Sequence, residues 1–423
     1  MASSPSAITP SQLPAHRPWP VRVLIWLGGL LLALALLMLS LSPAVETAPP
    51  PSSADVTAAH MAFQRIRGLS GTGKPQPFLL SWVEARGGSL LLGRALDVQR
   101  VAVVQEPDAA TLQASVPVGP LWANVSVSIR NTQERFPDTS IGIGWLHLPP
   151  FIVRPLAKGA RLALNLRGAH LAPLDDMVRG VAINPVGVQA MLNLPRNTKL
   201  FRQLNDVQSD PVDAALVATT YCALARAQAA SPATDLAVQV QRAFAQPTGL
   251  ASPEDANRAA FVALAMFTVS PNVGNLAGDA VQRTAICRAP PQSLMLIGRT
   301  DLPKHLVLSA ALTSLFGENV SQEMGTWKEI SDSGPQGSGF SFVDLSADRS
   351  GTHHAKRAAA PDTAADERRR LASITEAQLL PVHALAFAEG MSEAEFRSRY
   401  TSTESAEYDK MVAVIDRVLA EQK

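Results

Sequence analysis

Residues 23–45 carry no charged side chain, and Val23-Leu-Ile-Trp-Leu-Gly-Gly-Leu-Leu-Leu-Ala-Leu-Ala-Leu-Leu-Met38 is apolar on every helical face. As a helix this run extends about 34 Å at ~1.5 Å per residue, enough to cross a hydrocarbon core of about 30 Å. A soluble helix buries one stripe and has no use for apolar side chains all round. The run therefore reads as a transmembrane helix. Arg17 and Arg22 precede it, no Lys or Arg follows before Arg65, and the first charges beyond it are Glu46 and Asp55. That asymmetry places residues 1–22 in the cytoplasm and the bulk of the chain on the far side. A cleaved signal peptide is the competing reading. Its apolar region would normally run about 7–15 residues, and Ser42-Pro43-Ala44, the small-x-small triplet at its end, has proline at its centre. With no Cys beside the run, a lipoprotein anchor does not fit.

The exported part is built to fold. A hydrophobic fraction of 47% excludes a disordered chain, and a net charge of +1 supplies no field for nucleic acid. With only Cys222 and Cys287, neither a disulfide scaffold nor a zinc ribbon is available. On the exported side the two cysteines can pair, and two separate buried thiols are the alternative.

Residues 46–74 are rich in Pro, Gly and Ser and read as a linker with a short helix from about Ala59 to Arg67. Gly68-Leu-Ser-Gly-Thr-Gly73-Lys74 opens like a phosphate loop, but Pro75 stands where a hydroxyl must meet Mg²⁺, so a nucleotide site is rejected. Residues 75–195 change period. Leu121, Ala123, Val125, Val127 and Ile129 alternate with Trp122, Asn124, Ser126, Ser128 and Arg130, the pattern of a half-buried antiparallel strand. Leu112–Val118 and Val188–Leu194 alternate likewise, Val98–Val104 is β-branched, and Ile141–Trp145 is a weaker strand. Phe151–Leu166 reads as a helix after Pro149-Pro150, interrupted by Pro155 and Gly159. The unit is a curved antiparallel sheet with one or two helices on a face. Strand-rich Val98–Ile129, then Ile141-Gly-Ile-Gly-Trp-Leu-His-Leu-Pro-Pro150, a helix and a returning strand resemble YpmS-like membrane-anchored extracytoplasmic proteins. The resemblance implies an apolar groove between sheet and helix that holds an acyl chain; ordinary core packing is the plainer account of the same side chains.

Residues 196–300 read as a helical scaffold. Asp210-Pro211, Ser231-Pro232 and Ser252-Pro253 each pair an N-cap residue with proline at the first helical position, and Ser252…Asp255 has capping-box spacing. The helices they open carry almost no polar constellation.

Residues 301–352 hold the one cluster of chemistry-capable groups. Asp301-Leu-Pro-Lys-His305 opens a helix to Phe316 with Ser309 one turn after His305. A second helix, about Val320–Asp332, carries Lys328, Glu329 and Asp332, and a third from near Ser341 to Gly351 carries Asp344 and Asp348 at i, i+4. His305, Lys328-Glu329-x-x-Asp332 and Asp344-Leu-Ser-Ala-Asp348-Arg-Ser-Gly351, with Gly339-Phe-Ser-Phe342 ahead, resemble the YfiM-like and VanZ-like families. The resemblance implies an exported protein and little chemistry. VanZ proteins cross the membrane several times, whereas Leu306–Phe316 is too short to span. Carboxylates and one imidazole at this spacing suit a divalent metal on Asp344, Asp348 and His305, with Glu329 and Asp332 nearby, and a metal-bound water hydrolyses esters or amides. The plainer reading is a polar network between packed helices. Asp344 then caps its helix from Ser341, and Lys328 neutralises Asp332.

Beyond it, 355–370 reads as a solvated linker or helix, His353-His354 as an isolated pair, and Ser405–Glu421 as an amphipathic helix with Met411, Val414, Ile415, Val418 and Leu419 on one stripe. The fold expected is α+β: one N-terminal transmembrane helix, a sheet domain, then a helical domain with 353–423 as linker and terminal helix. The expected protein is a single-pass component of a bacterial inner membrane with its bulk in the periplasm. It binds or scaffolds a lipid or envelope protein without a cofactor; the rival is a metal-dependent envelope hydrolase.

Overall fold

A computed structural model describes residues 26–29, 36–69, 74–133, 135–166, 171–194, 211–290 and 293–421. The fold is mixed α and β with antiparallel sheets, as the patterning predicts. Residues 23–25 and 30–35 of the apolar run lie outside the described residues, and among the described ones no helix is long and apolar enough to cross a membrane. The run's expected end at Val45 is corrected. Leu36 and Leu37 are helical, but Ser40 exchanges two 2.8 Å backbone hydrogen bonds with Trp122, and Ala44 and Val45 both donate to the Ser115 hydroxyl. Residues 40–45 are not helical and are tied to Trp122 and Ser115 of the sheet. What remains for a span, 23–37, would extend about 22 Å as a helix, short of the ~30 Å hydrocarbon core, so a crossing there requires local thinning of the bilayer or snorkelling by Arg22.

The expected linker is largely structured as well. Helix α1 (Ser53–Leu69) begins six residues before Ala59, because Ser52 and Asp55 cap it reciprocally: the Ser52 amide donates to Asp55 at 3.0 Å and the Asp55 amide to the Ser52 hydroxyl at 3.2 Å. There follow β1 (Gln76–Ser81), α2 (Trp82–Ala95), β2 (Val101–Gln105), β3 (Ala109–Val118), β4 (Leu121–Arg130), β5 (Asp138–Ile143), β6 (Leu146–Leu148), α3 (Pro150–Leu166), α4 (Leu174–Met177), β7 (Val178–Asn184) and β8 (Gly187–Leu192). The one curved sheet of the sequence reading is two sheets. Strands β2 to β6 form a five-stranded meander, and β1, β8 and β7 form a second sheet in that order, the two meeting at a bridge between Thr132 and Val181. Strand β4 is antiparallel and half-buried along its length, and its polar row meets the chain's own N-terminal segment at one position: the Asn124 side chain accepts from the Ala44 amide at 2.9 Å and donates to the Ser42 carbonyl at 3.1 Å.

The helical body contains α5 (Ala214–Ala230), α6 (Leu236–Phe244), α7 (Pro253–Thr268), α8 (Ala280–Arg283), α9 (Leu302–Phe316), α10 (Glu318–Asp332), α11 (Phe342–Ala359), α12 (Ala364–Leu371), α13 (Glu376–Leu379), α14 (Glu393–Tyr400) and α15 (Ala406–Ala420). Ser252 caps α7 with proline behind it, as expected. The other two starts shift: Asp213 caps α5 and Asp235 caps α6, while Ser231 ends α5. The Asp213 carboxylate accepts from two free amides at the N-terminus of α5 and the Asp235 carboxylate from one at that of α6, so each helix starts there and not at the cap–proline pair upstream. Cys222 on α5 and Cys287 are bonded, which settles the open alternative.

A single apolar core runs from Val212 to Ala384 through what the sequence divides at 300 and 352. At its centre α7, α9 and α11 pack together. Helix α11 does not stop at Gly351. A Cβ there would lie 2.0 Å from the Leu306 carbonyl oxygen, so glycine marks the close approach of two helix backbones rather than a terminus. A second, aromatic core joins Phe340, Phe342, Phe396 and Tyr408 to Val56 of α1, and Phe340 stacks on Phe396 with centroids 4.3 Å apart. Helix α15 docks there through Tyr408 and Ile415, while Val414 faces out of the expected stripe.

Candidate functional site

Four elements converge on His305. Asp301 and Pro303 start α9, which places His305 and Ser309 on the face turned toward α11. Ser341 caps α11 by accepting from the Asp344 amide at 3.0 Å, which frees the Asp344 carboxylate to point inward with Asp348 one turn later. Gly325 on α10 leaves room for this. A Cβ there would meet the Asp348 carboxylate at 2.9 Å.

The imidazole lies between the two aspartates. Its Nε2 is 3.3 Å from Asp344 Oδ2, and its Nδ1 is 3.2 Å from both Asp348 oxygens. The Ser309 hydroxyl donates to Asp348 Oδ1 at 2.7 Å. Glu329, buried on α10, accepts from the Ser341 amide at 2.9 Å and from Lys328 Nζ at 2.9 Å. Lys328 also holds Asp332 at 2.8 Å and approaches Asp344 Oδ2 at 3.8 Å. Asp332 joins the cluster only through Lys328 and Ser338, at its rim. All seven residues singled out in the sequence are therefore in one network.

The charges are mutually adjusted. Burial pulls the His305 imidazolium down, but its hydrogen bonds to Asp344 and Asp348 outweigh this and push it up to about 10. Burial pushes the Asp344 carboxyl up, yet His305 holds it below the ordinary range. Burial raises Glu329 to about 7 against the pull of Lys328. His305 and Glu329 both bind their protons more tightly in the folded chain. Their stabilisation is complete below 6.5 and 4.5, and is lost as pH rises through about 10 and about 7. We expect the melting temperature to fall between pH 7 and 10, and His305→Gln to flatten that decline; thermal unfolding across the range checks it, and a native profile already flat above pH 7 would contradict it.

The donor set also has the chemistry of a cation site. One ligand atom each from His305, Glu329 and Asp348 lies within 4.8 Å of the others, a set that replaces Asp344 of the sequence reading by Glu329. A divalent ion there would displace the imidazolium proton and meet the positive charge of Lys328 beside Glu329. As the side chains stand, both ring nitrogens face carboxylates, and Ser309 donates to Asp348 rather than to His305, so no Ser–His pair is assembled.

Sequence reasoning missed Arg299 and its partner Glu389. Arg299 contacts Asp301, Glu389 and Asp344, closing the cluster from the loop before α9; the Arg-x-Asp spacing ahead of His305 was the available signal. The expected solvated stretch 355–370 is corrected too. His354 and Glu367 are buried and paired at 2.8 Å, with Arg357 on the same carboxylate at 3.0 Å, which holds Glu367 down to about 2 despite its burial. Arg349 serves no cluster acid and pairs with Asp416 on α15 at 2.6 Å. No family model, curated protein or solved structure matches the chain.

Proposed function

We propose that the protein is a single-pass component of the bacterial inner membrane, N-terminus inside, whose periplasmic body binds or scaffolds other envelope components. The observation that carries this reading is the internal saturation of the polar cluster: its imidazole, carboxylates and ammonium bind one another across α9, α10 and α11, so they lock helices together. The Arg17 and Arg22 flank supports the orientation, and the Cys222–Cys287 bond fits an oxidising compartment. The resemblance of 301–351 to YfiM-like exported proteins points the same way.

A metal-dependent hydrolase is the second reading, favoured by the mutual approach of His305, Glu329 and Asp348. Two measurements on the full chain separate them. Protease added to spheroplasts is expected to degrade the body, and elemental analysis of the purified chain to find no stoichiometric metal. A protected body overturns the orientation. Stoichiometric zinc or manganese that is lost in Asp348→Asn replaces the scaffold by the metal centre.

A further inference from the structure

Helix α3 turns its apolar side outward. Three of its polar side chains turn to the segment that follows it: Arg154 forms a two-pronged pair with Asp175 at 2.7 and 2.9 Å, Arg161 donates to the Leu171 carbonyl at 2.9 Å, and Asn165 exchanges two bonds with the Leu171 backbone. Only Val153 is buried. At 100° per residue the outward arc runs through Phe151, Leu162, Leu166, Ile152 and Leu156 without a polar break, bordered by a single charge, Lys158. Phe151 is 77% exposed and Leu166 82%. An arc this long and apolar exceeds the scattered apolar side chains of an ordinary surface. The acyl groove implied by the sheet-and-helix resemblance is not what these side chains line, because they stand exposed rather than enclosed between sheet and helix.

The place of this face in the fold identifies what covers it. The Trp145 amide donates to the Leu37 carbonyl at 2.8 Å, and a Cβ on Gly144 would meet Leu37 and Met38 at 2.6 Å, so the β5–β6 turn sits against the end of the apolar N-terminal run. Leu37 is the last helical residue of the run and Ser40 is already bridged to β4, leaving no slack between them. From Trp145, itself 80% exposed, five extended residues lead to Pro150, about 17 Å. The apolar arc therefore starts within about 17 Å of the point where the chain would leave the bilayer, and Leu36 and Leu41 are exposed at that point. Its one bordering charge is a cation, suited to anionic headgroups, and Trp145 is of the type that settles at the headgroup level.

We propose that α3 lies in the plane of the membrane that holds residues 23–37, with Phe151, Leu156, Leu162 and Leu166 among the acyl chains and Trp145 at the headgroups. The sheet domain is then seated on the lipid surface and the helical body projects from it. This rests on the anchored reading in one respect, that residues 23–37 enter the same bilayer.

The test uses the full chain, its two cysteines paired, in vesicles of phosphatidylethanolamine and phosphatidylglycerol. Single nitroxide labels are placed through Leu156→Cys and Leu162→Cys, both at exposed positions, with Gly28→Cys reporting the anchor and Leu250→Cys the aqueous surface. At 156 and 162 we expect oxygen to relax the label more than a water-soluble nickel complex does, as at 28 and the reverse of 250. Labels at 156 and 162 that behave like 250 while 28 stays in lipid overturn the seating and leave the anchor standing. Spin–spin broadening at 162 assigns the face to a second copy and overturns it equally. An aqueous label at 28 removes the anchor itself, and the proposal with it.

Discussion

Asp348→Ala is expected to lower the melting temperature of the helical body by roughly 10 °C. The substitution removes the carboxylate that accepts from His305 at 3.2 Å and from Ser309 at 2.7 Å, both buried. It leaves a desolvated imidazolium with one partner fewer and a hydroxyl with none in its place. Breaking a buried ion pair from one side typically costs about 3–5 kcal/mol, and each kcal/mol moves the melting point of a body this size by about 2–4 °C. Asp348→Asn keeps the shape beside Gly325 and the acceptor for Ser309, so it is expected to fall between alanine and the native residue. His305→Gln combined with Asp348→Asn completes a cycle whose coupling term isolates the pair. Additive effects of the two substitutions would show that the pairing contributes nothing. A native melting temperature that drops on adding a chelator would assign the stabilisation to a bound cation instead.

Loss of the Cys222–Cys287 bond ranks next. The bond closes a loop of 65 residues between α5 and the segment after α8. In the chain-entropy account a loop of that length contributes about 4 kcal/mol by restricting the unfolded chain. Neither cysteine touches the His305 cluster, so the two effects are expected to add. Reduction, or Cys287→Ala with Cys222→Ala, is expected to lower the melting temperature by roughly 10 °C and leave the far-ultraviolet circular dichroism below the transition unchanged. A shift under ~2 °C would mean that α8 and its flanks are already held by their apolar contacts, Ala277 and Ala280 among them.

Much of the site could be read from short-range spacing. His305 and Ser309, Lys328 and Asp332, and Asp344 and Asp348 are each one helical turn apart, and helix geometry alone puts each pair on one face. The antiparallel strand Leu121–Arg130 and the caps at Ser252 and Ser341 are likewise local, and they stand as expected. Where a cap moved, to Asp213 and Asp235, another local signal of the same kind lay a few residues on. The pairing of Arg299 with Glu389 was not legible, because the two come from irregular segments 90 residues apart and meet only when the loop before α9 folds beside the one before α14. Glu367 was misread for a related reason. Its run of five charges looks solvated, yet a helix turns one of them into the core, where His354 meets it.

The amino-acid order by itself determined several of the strands and helices, β3, β4 and α7 among them, and that three spaced pairs of polar groups belong on helical faces; it did not reveal α2, which lies in a stretch read as strands. What it determined depends on interactions within about four residues. Only the tertiary structure decided that the end of the apolar run is clasped by Ser115 and Asn124, that Gly351 lets α9 and α11 touch, and that α3 turns its arginines to the segment that follows it and its leucines out. Periodicity reports that a helix has two unlike faces. Which face meets the rest of the chain is set by what lies across from it, here Asp175 and the Leu171 carbonyl, and no local pattern contains that.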